Sequence, residues 1–129
     1  MQDLEAIARI SVDCGFHLHR DIGPGLLESA YEILLFESLK QKGLSVERQK
    51  IIPIVFKGRV LYEAFRADLI VENRLLIELK STERYAPVHA KQLLTYLRLM
   101  DLPLGFLMNF GAATFKEGVK RIANDYYAI

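Results

Sequence analysis

The sequence predicts an α/β fold in which one mixed central sheet of about four strands is flanked by helices. Three observations support this prediction. Apolar residues recur at helical spacing near both ends of the chain, and stretches rich in aliphatic residues fill its middle. A further helical pattern separates these stretches from a short final apolar run. The resulting order of helix, helix, three strands, helix, strand and helix is typical of a sheet with helices on its faces.

The first two helices are predicted at residues 2–20 and 25–42. The segment Asp21-Ile22-Gly23-Pro24-Gly25 separates them, because two glycines around a proline interrupt a helix. Gly43 is a natural end for the second helix. The second helix carries an apolar stripe made of Leu27, Tyr31, Leu34, Leu35 and Leu39.

Three strands are predicted next, at residues 46–56, 60–71 and 75–80. The first two are separated by Lys57-Gly58-Arg59, and glycine between apolar runs indicates a hairpin. The last two are joined by Glu72-Asn73-Arg74, where Asn73 tolerates the left-handed conformation that a three-residue loop needs.

The remaining elements are a helix, a strand and a closing helix. Pro87 suits the first turn of a helix that runs to about Met100. Residues 104–109 form a short apolar strand between Pro103 and Gly111. Residues 115–127 are predicted to be the closing helix.

The informative region is the hairpin formed by residues 65–81. An odd-length loop places residue 71 opposite residue 75, and therefore Asp68 opposite Glu78. Alternation leaves one face of the hairpin apolar and gathers four polar side chains on the other. These four are Arg66, Asp68, Glu78 and Lys80.

Two carboxylates about 5 Å apart on neighbouring strands repel each other. A hard divalent cation would relieve this repulsion, and carboxylate oxygens suit Mg²⁺ or Mn²⁺. The alternative is a salt-bridge cluster in which Lys80 and Arg66 neutralise Asp68 and Glu78. Spacing alone leaves both readings open.

The same residues resemble a known signature. Asp68 followed ten residues later by Glu78-Leu79-Lys80 looks like the D-…-E-x-K motif of the PD-(D/E)XK nuclease superfamily, with Ala67 in place of the proline. Gln92 and Tyr96 lie four residues apart on the following helix. They resemble the QxxxY feature of the RecB-like branch of that superfamily.

The segment GPGLLESAYE at residues 23–32 resembles the hallmark of the bacterial GxxExxY proteins. Gly25, Glu28 and Tyr31 occupy the three named positions of that motif. The resemblance runs from about residue 6 to residue 125 and includes residues 47–49, 66–72, 77–81, 92–99 and 109–110. It implies a restriction-endonuclease-like α/β/α core.

The resemblance also implies roles for the site residues. Asp68 and Glu78 would bind Mg²⁺ or Mn²⁺, with the Leu79 carbonyl and the Glu28 carboxylate as further ligands. Lys80 would orient or deprotonate the attacking water. For Glu28 the plain alternative is a first-turn acid favoured by the helix dipole.

Four further residues are candidates for contact with the substrate. Gln92 would act in the catalytic site by holding a phosphate oxygen or a ligand water. Tyr96, Arg66 and Tyr31 would contact the nucleic acid. The alternatives are packing for Gln92 and Tyr96, a solvated charge for Arg66, and a buried, hydrogen-bonded tyrosine for Tyr31.

Length, charge and composition support predictions about domain number, nucleic-acid binding and localisation. The length predicts one domain, residues 1–129, and the net charge of +1 gives no global argument for nucleic-acid binding. Lone Cys14, the absence of a basic leader and the absence of an apolar run of roughly 20 residues predict a cytoplasmic protein without membrane contact.

The expected activity is that of a metal-dependent nuclease acting on DNA, with RNA as the second choice of substrate. A homodimer or a protein partner is a possible requirement, because the chain is small for a nuclease. Two rivals stay open: a non-catalytic module with the same fold that binds nucleic acid or protein, and a structural protein with paired charges.

Overall fold

The computed structural model of the chain describes residues 3–84 and 86–127. Its elements, in chain order, are α1 (Leu4–Ile22), α2 (Glu28–Gln41), β1 (Val46–Phe56), β2 (Arg59–Val71), β3 (Leu75–Lys80), α3 (Pro87–Met100), β4 (Leu104–Asn109), α4 (Phe115–Gly118) and β5 (Val119–Ala123). The strands form one sheet in the order β1-β2-β3-β4-β5. Strands β3 and β4 are parallel, and the other neighbours are antiparallel. The predicted mixed α/β fold is therefore confirmed, with five strands instead of about four.

The predicted closing helix at residues 115–127 is wrong. Only Phe115–Gly118 is helical, and Val119–Ala123 pairs with β4 as an edge strand. A Cβ on Gly118 would lie 2.2 Å from the Asn109 carbonyl oxygen, so the chain runs directly against the end of β4. Pairing with the open edge of β4 overrides the local helical pattern.

Helix α1 begins where the Asp3 side chain accepts a 2.7 Å hydrogen bond from the Ala6 backbone N–H. It ends at Gly23, which adopts a φ of 80° that suits glycine. The apolar stripe of α1 includes Leu4 and Ile7, which are buried against the sheet. No helix within residues 3–84 and 86–127 is long and apolar enough to cross a bilayer.

Helices cover both faces of the sheet, and a separate hydrophobic core lies on each face. Helices α1 and α2 pack on one face, where Tyr31 and Leu35 meet Ile77 and Leu79. On the other face Leu93 and Leu97 of α3 join a second core with Ala67, Ile70, Leu76 and Leu107. The hairpin face predicted to be polar is therefore apolar for most of its length, and its polar residues lie at one end.

The β2–β3 hairpin has the predicted register. Val71 pairs with Leu75 across a loop in which Glu72 and Asn73 adopt φ values of 53° and 54°. The backbone ladder continues to the pair of Leu69 and Ile77. Beyond that pair, hydrogen bonds to the side chains of Asp68 and Glu78 connect the two strands, and the candidate site lies there.

Candidate active site

A cavity of about 150 Å³ lies where β2 and β3 separate, beneath the first half of α3. Its walls are formed by Glu28, Arg66, Asp68, Glu78, Lys80, His89, Gln92, Leu93, Tyr96 and Leu107. Seven of the nine predicted site residues are among them. A larger cavity of about 730 Å³ lies between α1 and α4, but its walls are mainly apolar, so volume alone does not mark the site.

Asp68 and Glu78 contact each other through an interlocked pair of hydrogen bonds. The Asp68 backbone N–H donates to Glu78 Oε2 at 3.3 Å. The Leu79 backbone N–H donates to Asp68 Oδ2 at 2.9 Å. These two side-chain bonds take the place of the backbone ladder at the end of the hairpin, and they bring the two carboxyl groups together.

The Glu78 carboxyl group is buried, with 8% of the residue exposed. Burial raises its pKa to about 10, and the hydrogen bond to Asp68 and the Asp68 charge act in the same direction. Glu78 therefore holds a proton at neutral pH when no cation is bound. The nearby charge of Lys80 opposes this shift without cancelling it.

The donor set fits a hard divalent cation. No group of three or more His, Cys, Asp or Glu side chains within residues 3–84 and 86–127 is arranged to hold a metal ion. The site offers two carboxyl groups in contact, and Mg²⁺ is usually bound by one or two carboxylates together with waters and substrate phosphates. A cation bound by both carboxylates would relieve the repulsion that now raises the pKa of Glu78.

Glu28 is the first residue of α2 and lies at the rim of the cavity. Partial desolvation raises its pKa, Asp68 and Glu32 raise it further, and Lys80 lowers it. Glu28 is therefore coupled electrostatically to the site although it is exposed to solvent. This placement makes it the third carboxylate available at the cavity.

Tyr31 and Leu79, the other two predicted residues, do not line the cavity. Tyr31 has no exposed surface and stacks on Phe110 at 4.7 Å between ring centroids. Its hydroxyl donates to the Gly23 carbonyl at 2.5 Å and accepts from the Leu26 N–H at 3.1 Å. The predicted contact of Tyr31 with substrate is therefore wrong, because the ring is enclosed and holds the loop before Glu28. The Leu79 side chain is also fully buried.

Helix α3 contributes four cavity residues at helical spacing, namely His89, Gln92, Leu93 and Tyr96. Tyr96 stacks on Phe65 with 3.9 Å between ring centroids. Burial raises the Tyr96 pKa, and Glu78 and then Asp68 add to the shift. Gln92 is exposed at the cavity wall.

His89 is absent from the predicted set of site residues. Its Nδ1 accepts a hydrogen bond from the Ala86 backbone N–H at 3.3 Å. Burial lowers the pKa of His89, and Lys80 lowers it further, so the ring is neutral at neutral pH. Its position one turn before Gln92 is the sequence signal that could have identified it.

Gln49 is a second residue near the site that was not predicted from the sequence, and its side chain is hydrogen-bonded to Asp68. Gln49 donates through Nε2 to Glu32 Oε1 at 2.6 Å and to Asp68 Oδ1 at 3.2 Å. Buried Glu32 also accepts from Arg48 Nε at 3.0 Å. Gln49 adopts a φ of 50°, a conformation that non-glycine residues rarely hold and that is often found at functional sites.

Comparison with protein families gives one match. A family model described as the PD-(D/E)XK nuclease superfamily matches residues 5–122, which is nearly the whole chain. Searches of curated proteins and of solved structures each return no match.

Proposed function

The chain belongs to the PD-(D/E)XK nuclease superfamily, and on that premise we propose that it is a metal-dependent nuclease that hydrolyses DNA, with RNA as the alternative substrate. One observation carries the proposal. Asp68 and buried Glu78 are in contact beside Lys80, and Glu78 is forced to keep a proton. Such an arrangement costs stability, and strongly perturbed pKa values of this kind are typical of functional sites.

Asp68 and Glu78 would hold Mg²⁺ or Mn²⁺, with Glu28 and the Leu79 carbonyl as further ligands. When bound, the ion supplies Lewis-acid polarisation of the phosphate and activation of a water nucleophile. Glu78 must release its proton for the ion to bind, because its carboxyl group is protonated at neutral pH.

Other cavity residues act on the phosphodiester directly. Lys80 orients or deprotonates the attacking water and offsets the charge that develops on phosphorus. The Gln92 amide holds a phosphate oxygen, and Arg66 and Tyr96 contact the nucleic acid. The reaction breaks one P–O bond of the backbone as water adds to phosphorus.

The finer assignments are part of the same proposal. Gly25, Glu28 and Tyr31 support membership of the GxxExxY proteins, and Gln92 with Tyr96 supports the RecB-like branch. We place the activity in the cytoplasm in a single domain of residues 1–129. A buried lone thiol, Cys14, fits a reducing compartment.

Two paired measurements test the function. Calorimetry with Mg²⁺ and with Mn²⁺ should show binding to the wild type that Asp68→Ala abolishes. With single- and double-stranded DNA and RNA as substrates, cleavage of DNA should occur with the wild type. It should be lost in Lys80→Ala and retained in Lys116→Ala, which removes an exposed lysine far from the cavity.

Each outcome has a separate meaning. Metal binding without cleavage would favour a non-catalytic module built on the same fold. If neither metal binding nor cleavage is observed, the result would favour a structural cluster of paired charges. Cleavage retained in Asp68→Ala or Glu78→Ala would contradict the assigned ligands.

A further inference from the structure

The ribbon, residues 50–66, is the part of the β1–β2 hairpin that extends beyond the rest of the sheet. Among the residues that the structure describes, β3 pairs with β2 only from Leu69 to Val71, so the two strands of the ribbon pair only with each other. Every residue from 55 to 63 is exposed. The base of the ribbon is supported by Ile52 and Phe65, which pack in the core beneath α3, and its outer part is open to solvent on both strands.

Positive charge is concentrated in the ribbon. It contains four basic residues and one acid, a net charge of +3, whereas the whole chain has a net charge of only +1. The rest of the chain is therefore net negative, at −2. An anionic polymer that approaches this protein would be attracted to the ribbon. The charged residues are Lys50, Lys57, Arg59, Glu63 and Arg66.

Two aromatic side chains are also presented to solvent. Phe56 is 67% exposed and Tyr62 is 75% exposed. The ladder is irregular at Tyr62, because three residues of β2 face one residue of β1 between the pairs at Ile52 and Ile54. Such bulges re-aim side chains and are common next to active sites. Near the tip, Lys57 Nζ lies 5.4 Å from the centroid of the Phe56 ring.

The ribbon is continuous with the candidate active site. Arg66 at its base lines the cavity, and Phe65 stacks on the cavity residue Tyr96. Arg66 pairs with Ile51, which is six residues before Lys57, so Arg66 lies about 20 Å along the ribbon from Lys57. The cavity, at about 150 Å³, holds little more than the reacting phosphodiester. Affinity for a polymer must therefore come from a surface outside it.

We infer that the ribbon is a binding arm for single-stranded nucleic acid that delivers the strand to the cavity. Unpaired bases stack on Phe56 and Tyr62, and Lys57 and Arg59 contact phosphates. This combination of exposed rings with basic residues is how single strands are bound without sequence preference. Paired bases hide their faces, so the rings favour a single strand over a duplex. The inference rests on the proposed function only for the hydrolysis of the bound strand in the cavity; binding to the ribbon does not depend on it.

The first test uses Tyr62→Trp, because the chain contains no tryptophan and the new indole is the sole reporter of its kind. Titration of the metal-free full chain with a 20-nucleotide oligothymidine should quench its fluorescence, and a duplex of equal length should quench it far less. Unchanged fluorescence on saturation with the oligonucleotide would overturn the inference, and so would equal affinity for the duplex.

The second test measures affinity by fluorescence anisotropy against salt concentration. Phe56→Ala/Tyr62→Ala should weaken single-strand binding at least tenfold. Lys57→Ala/Arg59→Ala should reduce the slope of log affinity against log salt by about 1.4, since each phosphate contact on a single strand contributes about 0.7. The matched control Arg9→Ala/Lys116→Ala removes two exposed charges elsewhere and should change neither quantity.

Two further readouts separate this inference from its rivals. Hydrolysis of a small chromogenic phosphodiester, if the wild type shows it, should be unchanged in both ribbon variants, because that substrate reaches only the cavity. Sedimentation should show the same mass for wild type and variants. A change in mass without a change in strand binding would assign the ribbon to contact between copies of the chain and overturn the inference. If the wild type binds single strands but shows no catalysis in any assay, the nuclease proposal would be refuted and the inference about the ribbon would stand.

Discussion

Glu78 is the residue that links the site to the stability of the chain. Its carboxyl pKa is about 4.5 when unfolded and about 10 when folded, so the native state binds the proton more tightly. The stabilisation by this proton is fully present below pH 4.5 and is lost as the pH rises toward 10. The metal-free protein should therefore become less stable as pH increases through this range.

Glu78→Gln should stabilise the metal-free protein at neutral pH. The amide needs no proton and can still donate to Asp68. The 2.5 pH units between 4.5 and 7 correspond to up to about 3 kcal/mol in the free energy of unfolding. Urea denaturation at pH 5, 7 and 9 would measure this gain, which should grow with pH. A variant that is less stable than the wild type at pH 9 would contradict the protonated form of Glu78.

Gln49 is a residue whose importance could not be predicted from its position in the chain. It links Asp68 on β2 to Glu32 on α2, and these partners are 19 and 17 residues away. Gln49→Ala should lower the affinity for Mn²⁺ by about 10- to 100-fold, the usual effect of removing a group that orients a metal ligand. Calorimetry would measure the change.

Arg48→Ala is the matched control for Gln49→Ala. Arg48 contacts the same Glu32 from the adjacent position, but its bond goes to Oε2 and does not reach Asp68. Its replacement should therefore leave metal affinity within a few-fold of the wild type. Equal losses in the two variants would mean that Glu32, and not the Gln49 amide, controls the orientation of Asp68.

At the scale of elements, the loop from Gly23 to Leu27 determines where α2 begins and therefore where Glu28 lies. Two tethers hold this loop: the Tyr31 hydroxyl bonds to Gly23 and Leu26, and Ser81 Oγ donates to the Leu26 carbonyl at 2.7 Å. Ser81 directly follows Lys80, so the loop is fastened to the strand that carries the site. Helix α2 has no side-chain cap of its own, which leaves its start dependent on these bonds.

Tyr31→Phe should therefore affect both stability and the site. Loss of two buried hydrogen bonds should reduce the free energy of unfolding by about 1–3 kcal/mol, while the ring still stacks on Phe110. Metal affinity should fall through Glu28, so Tyr31→Phe should have no further effect on affinity in a Glu28→Gln background. Additive losses in that double-mutant cycle would show that Tyr31 acts elsewhere.

For some elements, local sequence patterns are sufficient to predict where the helix or strand begins and ends. Helix α3 and strand β4 have the predicted bounds, because Pro87 and Pro103 with Gly111 mark their limits. The segment 119–123 could not be identified as a strand in the same way. Its extended form depends on the unpaired edge of β4, a contact that exists only after the sheet has assembled.

For the whole molecule, the predictable part of the site is the part encoded within one hairpin. The loop length between β2 and β3 determines the register, and the register brings Asp68 to Glu78. Contacts between distant elements, such as the buried hydroxyl of Tyr31 or the support from Gln49, follow from packing that the hairpin does not encode. The residues of the motif could thus be identified in advance, whereas the side chains that orient them could not.

Binding of a divalent cation should stabilise the folded chain as a whole, because Asp68 and Glu78 come together only in the native state. Mg²⁺ at 100 times its dissociation constant should add about 2.7 kcal/mol to the free energy of unfolding. For a chain of this size that is a rise of about 10 °C in Tm, measured by calorimetry with and without EDTA. At a fixed Mg²⁺ concentration the rise should shrink steadily as the pH falls from about 10, since the proton on Glu78 competes with the ion. Asp68→Asn should remove the response to Mg²⁺, and an equal rise in that variant would place the cation elsewhere on the protein.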